Sequence, residues 1–191
     1  MFFNPKYIIV FFALILCVAI DHSMALADSG FGQKPWTQLE TKYTIIKYKS
    51  NDDLLRFHNE IDFGPGSWNR SSTFSSIPES EVQKMLIQKI DAIFKRAREI
   101  LDMQKKIKNI HINIYPDSKE LKRAYSIIYR GKCNIRAWYR FRNHTVYINA
   151  RDVHAGMLAH EIAHGIIDHF FKVKPPSETA EILARYVDSH L

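Results

Sequence analysis

The chain has 191 residues, 46% hydrophobic and 25% charged, with 7 Gly, 7 Pro and 2 Cys. That balance excludes collagen-like, low-complexity and largely disordered chains, a disulfide framework, and a zinc ribbon with its four paired Cys/His ligands. The formal charge of +7 admits anionic partners without specifying one.

Residues 1–27 begin with Lys6 near the start, run apolar from Tyr7 to Ile20, and end in small residues at Ala25 and Ala27. The apolar run is shorter than the roughly 20 residues that span a bilayer, and the pattern is that of a cleaved secretory signal. The expected product is one exported domain, 28–191, periplasmic or secreted, with no stable membrane span. An uncleaved anchor is the alternative. Leu16 before Cys17 is unsuited to lipoprotein processing. Cleavage leaves Cys133 as the only thiol, read as a packed side chain. Asn69-Arg70-Ser71 and Asn143-His144-Thr145 fit the glycosylation acceptor pattern.

Residues 28–41 read as a polar lead-in. Tyr43–Tyr48, rich in β-branched and aromatic residues, predicts a strand. A short helix is expected over 52–61 and a Gly/Ser-rich loop over 62–77. Ser80-Glu81-Val82-Gln83 has the form of a capping box. Behind it Val82, Leu86, Ile90, Ile93, Ala97 and Ile100 recur at helical spacing as far as Met103. Ile110, Ile112 and Ile114 alternate with polar residues in a strand, and a helix follows over 118–129. Strands near 135–141 and 145–150 are joined by a tight turn at Asn143-His144. Alternation would turn Ile135, Ala137, Tyr139 and Phe141 inward, and Arg136, Trp138, Arg140 and Arg142 outward. A helix over 153–171, a break at Pro175-Pro176 and a last helix with Ser177 as N-cap complete an α+β domain with a small mixed sheet.

His160-Glu161-Ile162-Ala163-His164 is an HExxH pattern within a predicted helix. Residues i and i+4 share a helix face, so both imidazoles can reach one zinc ion at about 2.0–2.1 Å. Glu161 stands beside them as a general base for water. From Ala155 to Ile167 Glu161 is the only charge, which suits a buried helix with a histidine edge. A catalytic zinc takes three protein ligands. Asp168 lies about 12 Å along the helix from His160, too far to share the ion, and is expected to hydrogen-bond a liganding histidine or to be an ordinary exposed acid. His169 points to another face. Glu178 and Glu181 on the last helix remain. Glu181 is the better placed, one turn in and among small neighbours, while the helix dipole alone explains an acid at Glu178. Tyr186 is the first choice to stabilise the oxyanion, followed by Tyr147, His154 and Arg185.

HExxH with a Glu on the following helix resembles the gluzincin zinc metallopeptidases, and more narrowly the small peptidase MA-like domains of exported bacterial proteins. The resemblance covers about 144–191. It implies a zincin-like fold binding one zinc through His160, His164 and Glu181, with Glu161 as base. It also implies an extended peptide substrate along the strand before the motif helix, Thr145–Ala150. The rival function is a non-catalytic zincin-like zinc module with a structural or partner-binding role. Arg136, Arg140 and Arg142 offer a contact to an anionic envelope surface. Nucleic acid is not expected as a partner of an exported protein.

Overall fold

The computed structural model describes residues 35–63, 77–107 and 110–191. The proposed signal at 1–27, Asn69 and most of the predicted loop lie outside the described residues. Lys34–Leu191 forms one compact unit. Its described residues hold five strands, β1 Thr37–Glu40, β2 Thr44–Tyr48, β3 Ile110–Tyr115, β4 Ala137–Arg140 and β5 Thr145–Asn149. The five helices are α1 Asn51–Glu60, α2 Glu79–Leu101, α3 Ser118–Tyr129, α4 Ala155–Phe170 and α5 Ser177–His190. The sheet order is β1-β2-β3-β5-β4; β2, β3 and β5 are parallel and both outer strands antiparallel. This is an α+β domain with a small mixed sheet. Among the described residues, no helix is long and apolar enough to cross a membrane.

Period-two alternation divides the sheet between two cores. Ile46, Ile110, Ile112, Ile114, Val146 and Ile148 pack against α1, α2, α4 and α5. On the other face Tyr115, Tyr147 and Trp138 pack under Leu121 of α3. Each fully buried Leu or Ile contributes about 1.5–3 kcal/mol, so the larger core carries most of the stability.

Several local expectations are corrected. β1 lies in the predicted lead-in; it is a mostly exposed edge strand without apolar alternation, held by pairing to β2. The capping box does not form, because α2 starts at Glu79 and Ser80 is already inside the first turn. Gln83 instead donates to the Tyr48 hydroxyl at 2.9 Å. Ser177 is likewise the first residue of α5, not its N-cap. Pro78 and Pro176 occupy the two N-cap positions with ψ of 144° and 147°, an extended conformation natural to proline. The β4–β5 connection is a 3-10 turn, Phe141–Asn143, closed by His144 at φ 49°.

Trp138 is buried, not outward-facing: it stacks on Tyr147 at 4.6 Å beneath α3, because both sheet faces are covered there. Ile135 precedes the strand and is exposed. The three arginines do not form one strand face. Arg136 pairs with Asp152, Arg140 lies over the Tyr129 ring and Arg142 belongs to the 3-10 turn.

β5 runs between β3 and β4 with both edges hydrogen-bonded. It therefore has no edge to offer a peptide. Among the described residues the free edge on this side of the sheet belongs to β4.

Candidate metal centre

Helix α4 crosses the larger core. Leu158, Ala159, Ile162, Ala163, Ile166 and Ile167 are fully buried, leaving a narrow edge with His160 and His164. Gly165 brings the helix close to the sheet: a Cβ there would lie 2.7 Å from Ile110 Cδ1 and 3.2 Å from Tyr139 Cε2. The Pro175-Pro176 break turns the chain back, and α5 packs on α4 through Ala180, Ala184 and Val187. Small residues at the first two positions let the backbones approach, and Glu181 reaches the histidine edge.

The Nε2 atoms of His160 and His164 are 3.2 Å apart. Glu181 Oε2 lies 3.6 Å from the first and 3.4 Å from the second. Donors about 2.05 Å from a tetrahedral ion are about 3.3 Å from one another, so the triangle has the size of a zinc donor set. Two imidazoles and one carboxylate are also the composition of a catalytic site that leaves the fourth position open. The other Glu181 oxygen accepts from Arg185 Nε at 2.9 Å, which fixes the carboxylate's orientation. The His164 Nδ1 is buried with no partner among the described residues, a cost of about 1–3 kcal/mol. Glu178 is exposed in the first turn and outside the donor group.

Burial pushes Glu161 up to about 8; the backbone N–H of Tyr139 opposes this and the Glu181 charge adds to it. Burial pulls His164 down to about 4, with His160 reinforcing and Glu181 opposing. Burial would raise Glu181, but Arg185 and the two histidines outweigh it and hold it below its ordinary value. Without a cation, burial thus favours the neutral form of both Glu161 and His164. Neutral imidazole is the metal-binding form, and a divalent charge nearby returns Glu161 to carboxylate.

Among the sequence-based electrophiles Arg185 touches the donor group, through Glu181, and the other three have partners elsewhere. Tyr147 is on the α3 face, its hydroxyl accepting from Asn143 Nδ2 at 2.9 Å. His154 is the N-cap of α4, accepting from the Met157 N–H at 3.1 Å. Arg185 is engaged with Glu181. Tyr186 is 49% exposed with its ring on His190 at 4.0 Å, and five residues of helix turn it about 140° from Glu181. Asp168 bonds neither histidine of the motif; it accepts from the Tyr139 hydroxyl at 2.9 Å and lies 3.0 Å from His144 Nδ1. A cation missed in the sequence is Lys174, whose Nζ is 3.5 Å from the centre of the Phe141 ring and whose charge reaches His164. It can stabilise negative charge at this edge, but its place beside two prolines marked only a helix break.

The chain matches no protein-family model, no curated protein and no solved structure.

Two expected results follow from the geometry. Glu181→Ala should weaken zinc binding at least about tenfold, and Glu178→Ala should leave it unchanged, by competition with a chelating dye. The reverse order would place the third ligand one turn earlier.

The second concerns pH after chelation. Glu161's folded value near 8 exceeds its ordinary 4.5, so its contribution to stability is complete below pH 4.5 and lost as pH rises through 8. His164's value near 4 lies under 6.5, so its contribution is intact above 6.5 and lost as pH falls towards 4. Chelated Glu161→Gln should therefore lose less stability than the parent between about pH 5 and 9, by at least about 2 kcal/mol in urea unfolding. Equal losses would mean that burial does not hold Glu161 neutral.

Proposed function

We propose that this chain is an exported zinc-dependent metallopeptidase of zincin-like fold, with His160, His164 and Glu181 as ligands and Glu161 as general base. The observation that carries the reading is the donor triangle of 3.2, 3.6 and 3.4 Å beside a buried carboxyl. Zinc, when bound, would supply a Lewis acid that lowers the pKa of water towards about 7 and polarises a peptide carbonyl.

The chain's own residues perform the remainder. Arg185 holds Glu181 in place. Glu161 orients the attacking water, takes its proton and passes it to the leaving amine as the C–N bond breaks. The free edge of β4 accepts an extended peptide by strand addition, with the Tyr139 N–H side of β4 next to Glu161. A non-catalytic zinc module has no use for a buried carboxyl at the donors, which favours the enzyme over that rival. The test is zinc stoichiometry together with hydrolysis of a mixed peptide library by the parent and by Glu161→Gln.

A further inference from the structure

We propose a second divalent-cation site, of zinc class, formed by His144, Asp168 and His169. One ligand atom from each lies within 4.8 Å of the others. His144 comes from the β4–β5 turn, and Asp168 and His169 from the last turn of α4. The inference does not depend on the function assigned to the first site.

The donors are individually oriented. His169 Nδ1 is 2.8 Å from the Gly165 carbonyl oxygen. A carbonyl only accepts, so Nδ1 carries the hydrogen and Nε2 the free lone pair. A backbone carbonyl that holds one ring nitrogen leaves the other as the one able to ligate an ion, the usual support for a metal-bound imidazole. Asp168 Oδ2 accepts from the Tyr139 hydroxyl at 2.9 Å and lies 3.0 Å from His144 Nδ1. A cation replaces the proton that joins these last two atoms. His144 adopts φ 49°, a left-handed conformation costing a non-glycine residue about 1–2 kcal/mol. That backbone sets its ring 4.6 Å from the ring of His169.

Electrostatics favour a cation here. The C-terminal end of a helix repels a carboxylate and attracts positive charge. Asp168 lies in that end; Lys105, donating to the His169 carbonyl at 2.7 Å, reflects the same attraction, while its own charge weighs against an ion. Two imidazole nitrogens and one carboxylate oxygen select a zinc-class ion over calcium or magnesium, which prefer all-oxygen shells. The His144 side chain is 46% exposed, which leaves an entry path. The bound ion ties the β4–β5 turn to the end of the motif helix. Tyr139, bonded to Asp168 through its hydroxyl, faces Glu161 through its backbone N–H. The ion is thus a clamp on the strand whose backbone meets Glu161.

The test is zinc chloride titration of the tag-free, chelator-treated full chain by calorimetry, with circular dichroism as the check of folding. His160→Ala/His164→Ala should still bind about one zinc, and zinc should raise its melting temperature. His144→Ala/His169→Ala added to it should abolish that binding. Asp168→Asn, which keeps an acceptor for Tyr139, should weaken it at least about tenfold and covers the case in which the histidine variant does not fold. No zinc bound by His160→Ala/His164→Ala with Kd below about 10 μM overturns the proposal, as does binding that survives both sets of substitutions at the second site. A parent whose single zinc is lost on changing His144 and His169, and kept on changing His160 and His164, overturns the peptidase reading instead.

Discussion

Glu161→Gln should lower peptide hydrolysis by at least about a hundredfold, the scale of a general base, with zinc still bound. Glutamine keeps the shape and one acceptor oxygen and removes the basic carboxylate. In the cation-free protein burial already favours a neutral Glu161, so glutamine reproduces the charge of the form that folds. The donors are on other side chains, so the variant should still load zinc, with affinity lowered only by loss of the carboxylate charge beside the ion. The check is a peptide library read by mass spectrometry, with metal content measured on the same samples. Parent and variant cutting equally fast would rule out Glu161 as base. A zinc-loaded parent that cuts nothing across the library would favour the non-catalytic module.

Zinc at the first site should be lost altogether in His160→Ala/His164→Ala, because a single carboxylate cannot hold the ion alone. In the proposed site each imidazole is one of three protein donors, and apparent zinc binding free energies of about 10–16 kcal/mol are shared among few ligands. Removing two of the three should weaken binding by several orders of magnitude. A zinc-dependent rise in melting temperature from this site should vanish with it. Competition against a chelator, in a background where His144 and His169 are also Ala, isolates the effect. First-site affinity undiminished in that background would refute the donor assignment.

The motif was legible because its geometry is local. Helical spacing alone places His160 and His164 on one face, and the uncharged stretch around them anticipates a buried helix. The long α2, the strand Ile110–Tyr115 and α3 were also readable, since their apolar periods of 3.6 and 2 are strong. β3 and α3 begin and end where the pattern predicts. Cap and edge assignments were weaker. A proline before α2 and α5 took the positions expected of serine, since a single turn offers several residues able to precede the first helical one. β1 carries no periodic signal, because an exposed edge strand needs only backbone pairing with its neighbour.

By itself, the sequence determined the α+β class, the order of elements from β2 onward, the two histidines and the carboxyl between them. Each depends on contacts within a few residues, which local spacing encodes. Tertiary structure alone decided the rest. The rotation of α5 against α4 sets Glu181 on the imidazoles and turns Tyr186 away. Strand order put β5 inside the sheet and left β4 its free edge, while α3 covered the face that holds Trp138 and Tyr147. The meeting of His144 with Asp168 and His169 joins residues 24 apart across a turn and a helix end. Alternation states which residues share a face; only packing of distant elements states what covers it.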